Sequence, residues 1–215
     1  MTLRRSGIWL LAGTLLLAAA PRPARPHEGA APGAKGPDRQ AVATSARLAI
    51  IRPAPDFTLR DFQGRSVRLW ELRGRVTLLS FIYTSCPAAC PLVTQRMALL
   101  ASRLRTAGLA PSRVMLLSIT VDPQRDTDTA LERYAKGFGT DRRGWQFLRE
   151  TPERLAPVLA AYDEWTRRLP GGEIDHPARL YLIDSEARIR EIYSLSFFHE
   201  RQAFLDIQAL LRESR

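Results

Sequence analysis

Two apolar runs and the segment between them constrain the fold of this chain most strongly. Residues 76–83 and 114–121 are almost continuously apolar, which is typical of strands buried on both faces of a sheet. Between them, residues 91–107 carry apolar side chains at the spacing of a helix. This order predicts an α/β domain in which helices cover a central sheet.

The remaining segments extend that pattern on both sides. Further strands and helices are predicted as follows: strands at 56–59, 66–69, 179–183 and 189–193, and helices at 129–138, 151–165 and 199–212. Strand, helix, strand, helix, then a hairpin and a helix is the thioredoxin-like order. We therefore predict the α/β class, with a thioredoxin-like domain at residues 51–215 whose central mixed sheet is flanked by helices.

The N-terminal segment has the features of an export sequence. Arg4 and Arg5 precede an apolar run over residues 7–20, shorter than the roughly 20 residues that span a bilayer as a helix. We predict a signal or membrane anchor at residues 1–20, followed by a flexible tether rich in Pro and Ala at residues 21–50. The protein is then exported, with its domain on the periplasmic side of the inner membrane, either anchored or secreted.

The charge of the chain argues against a nucleic-acid partner. The formal net charge is +10, but the arginines are scattered and have no aromatic residues interleaved with them, as a nucleic-acid groove would require. A solvated cationic surface that meets an anionic membrane or an acidic partner is the better interpretation.

The chain has two cysteines, Cys86 and Cys90, separated by three residues and each followed by a proline. Pro91 suits the first position of a helix, which predicts Cys90 as the N-cap and Cys86 on the turn before it. Both sulfurs would lie at the positive end of the helix dipole, which favours the thiolate. The thiolate is the form that binds soft metal ions and attacks disulfides.

Three uses of such a pair stay open. A structural disulfide is disfavoured because so short a ring stabilises a protein little, and a redox dithiol of the thioredoxin type has two intervening residues instead of three. Two sulfurs at this spacing suit one soft ion, although Cys86 and Cys90 are also able to close into a redox disulfide.

A histidine is available to complete a metal site. His176 lies in a loop that, in a thioredoxin-like domain, faces the N-terminus of the first helix. Of the other two histidines, His27 falls in the tether and His199 is expected to be a solvent-facing residue at the start of the last helix.

With these residues the chain resembles the Sco/SenC copper chaperones, which help to assemble cytochrome c oxidase. The resemblance covers residues 52–213, and its specificity comes from the joint order and spacing of several short motifs: residues 74–76, 83–91, 121–127, 145–148, 151–153, 175–177 and 181–184. One departure is Pro177, where the family usually has a small hydroxyl residue, and this departure bears on the reach of His176.

The resemblance implies a function and a set of site residues. Cys86, Cys90 and His176 would bind one copper ion, as Cu(I) or Cu(II). Asp122 would be either a partner outside the ligand set or a turn or cap residue before Pro123. The copper would come from an upstream donor and pass to the copper-bearing subunit of cytochrome c oxidase, with the N-terminal segment holding the protein at the membrane. No catalytic residue and no enzymatic turnover are expected.

Other functions compete with this one. The main alternative is a thiol–disulfide oxidoreductase that keeps the cysteines of the oxidase copper site reduced. Zinc is a further occupant that the ligand types allow. A binding module with a structural disulfide and a thiol peroxidase are the remaining alternatives.

Overall fold

A computed structural model of the protein describes residues 48–140 and 143–214. The predicted signal or anchor, and the tether except for its last three residues, lie outside the described residues. No helix in the described ranges is sufficiently long and apolar to cross a membrane.

The domain has one large sheet with helices packed against it. The elements are β1 Arg52–Pro53, β2 Thr58–Asp61, β3 Ser66–Arg68, β4 Val76–Ile82, α1 Ala89–Thr106, β5 Val114–Thr120, α2 Asp128–Gly137, β6 Trp145–Arg149, α3 Pro152–Ala161, β7 Arg167–Arg168, β8 Ile174–Asp175, β9 Leu180–Ile183, β10 Arg188–Tyr193 and α4 Glu200–Glu213. A short 3-10 helix, Leu69–Leu72, follows β3.

Eight strands form the sheet in the order β1-β10-β9-β4-β5-β6-β2-β3, and β7 pairs separately with β8. Strands β4, β5 and β6 are parallel, whereas β9 pairs with β4 and β2 pairs with β6 in the antiparallel sense. The predicted thioredoxin-like fold with a mixed central sheet is therefore confirmed. Every residue of β4 and β5 is buried, as their apolar runs predicted.

Strand β6 was absent from the prediction. It is short and contains the polar residues Gln146 and Arg149, so it lacks the continuous apolar run that marks β4 and β5. Its place is fixed by tertiary contacts, because it pairs with β5 and its first residue, Trp145, donates its indole N–H to the buried Ser118 hydroxyl at 3.0 Å.

The start of α1 corrects a prediction. The helix begins at Ala89, with Ala88 as its N-cap, so Cys90 lies in the first turn and is not the cap. Pro91 is tolerated there because the N–H groups of a first turn have no partner within the helix. The prediction therefore placed the helix start two residues too late.

Only part of the apolar pattern of α1 faces the core. Met97, Leu100 and Leu104 are fully buried, whereas Leu92 and Leu99 are exposed. The buried positions recur every three or four residues, which places them on one face of the helix against the sheet. That face fixes the orientation of α1 and therefore the direction of the Cys90 side chain.

Candidate metal centre

The two cysteines lie together where β4 leads into α1. Cys86 is half-buried on the connecting turn, and Cys90 is almost fully buried in the first turn of the helix. The backbone N–H of Cys90 donates to the Cys86 sulfur at 3.3 Å, and the N–H of Tyr83 donates to the Cys90 sulfur at 3.5 Å. Both thiols are reduced.

The environment makes the two sulfurs chemically different. A hydrogen bond from the Cys90 thiol, supported by backbone N–H groups at residues 88 and 90, lowers the pKa of Cys86 to about 5 despite partial burial. The same contact with Cys86, together with burial, raises the pKa of Cys90. The pair therefore shares one proton at neutral pH, with Cys86 as the thiolate and Cys90 as the thiol.

Tyr83 connects the cysteines to the histidine segment, a role that the sequence did not indicate. Its phenol donates a hydrogen bond to Cys86 and accepts the N–H of Ile174 at 3.2 Å. Its ring meets the His176 ring edge-on, with 6.0 Å between the ring centroids. Burial raises the pKa of Tyr83, so the phenol keeps its proton and acts as a donor.

The side chain of His176 is buried, with 3% of it exposed, and its Nδ1 is 3.5 Å from Oε2 of Glu164. The same Nδ1 is 3.2 Å from the backbone nitrogen of Ala178. Although Tyr83 contacts both Cys86 and His176, the described residues contain no group of three His, Cys, Asp or Glu side chains able to hold a metal ion. A site with two sulfurs and His176 as ligands therefore requires the sulfurs and the imidazole to come closer together.

Asp122 is buried and paired with arginines. Its carboxylate binds the guanidinium of Arg125 and lies 3.0 Å from Nη2 of Arg168. Because Arg168 belongs to β7, the Asp122–Arg168 pair joins the loop after β5 to the β7–β8 hairpin that leads into His176. Any influence of Asp122 on the site through this pair is indirect.

Asp126 supports the turn before Cys86, and its role was also missed from the sequence. It is completely buried and accepts hydrogen bonds from the Thr84 N–H at 3.0 Å, the Thr84 hydroxyl at 2.6 Å and the Thr120 hydroxyl at 2.5 Å. Burial raises the pKa of Asp126. Asp126 lies in the stretch 121–127, where only Asp122 was singled out, because the sequence does not show which carboxylate turns inward.

The chain is similar to known proteins in both sequence and structure. The SCO1/SenC family model matches residues 50–212. Protein SCO2 homolog, mitochondrial, of Bos taurus is 33% identical over 145 residues, which make up 65% of this chain and 53% of the relative. The chain therefore spans about half the length of this curated relative.

Two solved structures share the fold. Bradyrhizobium japonicum ScoI with copper bound is 28% identical, with a TM-score of 0.63 over 74% of this chain and 99% of that chain. BsSco is 23% identical, with a TM-score of 0.64 over 75% of this chain and 95% of that chain. It is described as a member of the Sco family of cytochrome c oxidase assembly proteins with a disulfide switch.

Proposed function

Because the chain belongs to the SCO1/SenC family, we propose that it is a copper chaperone that delivers one copper ion to the binuclear copper site of cytochrome c oxidase. The observation that carries the proposal is the reduced pair of Cys86 and Cys90, one of them held as a thiolate at the start of α1. Copper bound to B. japonicum ScoI and the oxidase-assembly family of BsSco support it.

The ligand types account for the choice of metal. Two sulfurs suit Cu(I), which prefers soft ligands, and the addition of an imidazole gives a set that also holds Cu(II). We therefore assign Cys86 and Cys90 to both oxidation states of the ion and His176 chiefly to the oxidised one. Binding releases the proton that the two sulfurs share, because metal ligation requires thiolates.

The backbone around His176 supports a rearrangement. Ala178 has φ 51° and Gly172 has φ 82°, and the left-handed conformation at an alanine is strained. In this proposal a movement of the segment lets His176 join the two sulfurs, and relief of the strain at Ala178 favours that movement. In this proposal Asp122 acts from outside the ligand set, through the Arg168 contact that holds the hairpin.

Copper delivery would proceed by ligand exchange. Thiolates of the recipient, the copper-bearing subunit of the oxidase, would replace Cys86 and Cys90 one at a time while His176 withdraws. An upstream donor would reload the reduced site. The N-terminal segment would keep the domain on the outer side of the inner membrane, where the copper-bearing subunit presents its site.

The asymmetry of the two thiols favours a second function, thiol–disulfide exchange. The Cys86 thiolate would attack a substrate disulfide and form a mixed disulfide, and Cys90 would then displace the reduced substrate and close the Cys86–Cys90 disulfide. Both electrons come from the two thiols, and a further reductant would regenerate them. The same two cysteines therefore serve either copper transfer or reduction of the recipient site.

The test uses the reduced full-length protein in detergent, titrated without oxygen first with Cu(I) and then with Cu(II). We expect the wild type to bind one Cu(I) ion or one Cu(II) ion tightly. Cys86→Ser/Cys90→Ser should lose tight binding of both ions, and His176→Ala should lose the thiolate-to-Cu(II) absorption band. A wild-type protein that binds no copper tightly but reduces a disulfide substrate would replace the chaperone proposal with the oxidoreductase.

A further inference from the structure

Glu164 is a buried carboxylate that the proposed chaperone function does not use. It follows α3, and its side chain is completely buried. Within the described part of the chain, its Oε2 atom is buried and has no hydrogen-bond partner. Its Oε1 atom is 3.3 Å from the Tyr181 hydroxyl, but that hydroxyl has a nearer acceptor in the Tyr162 carbonyl. The Glu164 carboxylate therefore has fewer hydrogen-bond donors than its two buried oxygens require.

His176 is a potential donor close to Oε2. Its Nδ1 atom is 3.5 Å from Oε2, slightly beyond a hydrogen bond, and both side chains are buried. A movement of a few tenths of an ångström would form the bond, provided that Nδ1 carries the proton.

A second group competes for the same nitrogen. The N–H of Ala178 is directed at Nδ1, at 3.2 Å, and this contact requires a lone pair on Nδ1. One ring nitrogen cannot donate to Glu164 and accept from Ala178 at the same time, so each contact implies a different tautomer of the neutral imidazole.

Burial decides between the two tautomers. Ala178 is only partly buried, so water has better access to its N–H than to the buried Oε2 atom of Glu164. Leaving a buried carboxylate oxygen without a donor costs more free energy than exchanging the hydrogen bond of the Ala178 N–H for one to water. The tautomer with the proton on Nδ1 is therefore the more stable one.

We propose that Glu164 is a positioning residue, which accepts the Nδ1 proton of His176 and so leaves the Nε2 lone pair free for copper. A metal-ligating histidine commonly donates its other ring N–H to a carboxylate, which fixes its orientation and raises its basicity. Glu164 itself does not touch the metal. The inference rests on the proposed function only in taking copper as the ligand of His176.

The first experiment requires no metal. Long-range ¹H–¹⁵N spectra of the reduced, histidine-labelled full-length protein report which ring nitrogen carries the proton, and His176→Ala assigns the signals. At a slightly alkaline pH we expect the Nδ1–H tautomer for His176 in the wild type and the Nε2–H tautomer in Glu164→Leu. An Nε2–H tautomer in the wild type overturns the proposal without reference to any variant.

His199 provides a matched control. Its Nδ1 is 3.5 Å from Oε2 of Glu200 and 3.2 Å from the nitrogen of Arg201, which repeats the geometry of His176. However, the His199 side chain is 58% exposed, so water is able to form hydrogen bonds with the Glu200 carboxylate and with the Arg201 N–H. Glu200→Leu should leave the tautomer of His199, the spectrum of His176 and copper binding unchanged.

The second experiment measures copper. Glu164→Leu should weaken Cu(II) binding by about 10- to 100-fold while Cu(I), held by the two sulfurs, changes much less. Equal Cu(II) affinity in the wild type and in the folded variant overturns the proposal for Glu164. A wild type that binds no copper overturns the chaperone proposal instead, and the tautomer measurement still decides whether Glu164 orients His176.

Discussion

At the scale of single residues, the chemistry of the site depends on one proton shared by Cys86 and Cys90. The pKa of Cys86 falls to about 5 because the Cys90 thiol donates to its sulfur. Because its pKa is lowered, Cys86 is a thiol below about pH 5 and a thiolate at neutral pH. Cys90 behaves in the opposite way, because burial and its neighbour raise its pKa.

This asymmetry predicts the alkylation profile of the reduced, metal-free protein. The rate with iodoacetamide should rise through about pH 5 and level off below neutral pH, with the label found on Cys86 by mass spectrometry. Cys90→Ala removes the thiol donor and should move the rise to higher pH. A wild-type rate that still climbs steeply above about pH 8, as for an ordinary thiol, would contradict the shared proton.

A second residue-scale prediction concerns Asp126. Asp126→Ala leaves the N–H and hydroxyl of Thr84 and the hydroxyl of Thr120 without their buried acceptor. We expect the free energy of unfolding to fall by about 3 kcal/mol, measured by urea denaturation.

The control for Asp126 is Asp128→Ala, two residues along the chain. Asp128 forms an ion pair with Arg149, but 42% of its side chain is exposed, and such pairs contribute at most about 1 kcal/mol. Equal effects of the two substitutions would show that Asp126 is not the anchor of the turn before Cys86.

At the scale of elements, a charged contact joins the β7–β8 hairpin to the loop after β5. Arg168 on β7 pairs with buried Asp122, whereas Arg167 pairs with Asp175 within the hairpin itself. Of these two pairs, the Arg168 pair is the one that ties the hairpin to the loop after β5. Because the hairpin leads into His176, we expect this contact to restrain the segment that would move if His176 joins the two sulfurs on a copper ion.

Hydrogen exchange tests the contact. Arg168→Ala should accelerate amide exchange at Leu169, Gly172 and Ile174, whose N–H groups bond to Glu173, Leu169 and Tyr83. Arg167→Ala changes the same residue type on the same strand and should have a smaller effect, because its partner is on the hairpin. Equal protection in the Arg168 variant and the wild type would exclude a restraining role for the pair.

At the scale of the whole molecule, the site depends on the packing of α1 against the core. Leu100 is fully buried, and its neighbour Leu99 is 52% exposed on the same helix. Leu100→Ala should lower the free energy of unfolding by about 2–5 kcal/mol, because it leaves a cavity beneath the helix that carries Cys90. Leu99→Ala should change it by less than about 0.5 kcal/mol, as measured by denaturant unfolding.

Local patterns in the sequence were sufficient to predict the central strands and the position of the two cysteines. The apolar runs predicted β4 and β5 because a strand buried on both faces must be apolar throughout. Pro91 predicted that both sulfurs lie beside the start of α1, although the helix begins two residues before that proline. These features depend on residues that are close together in the chain, so a local pattern records them.

The tertiary structure decided the surroundings of the site. Tyr83 meets His176, Asp126 supports Thr84, and Glu164 lies beside His176. Nothing local distinguishes Asp126 from Asp122 or Glu164 from any surface glutamate. Only the packing of distant segments removes these carboxylates from water, and burial makes each of them require a particular donor.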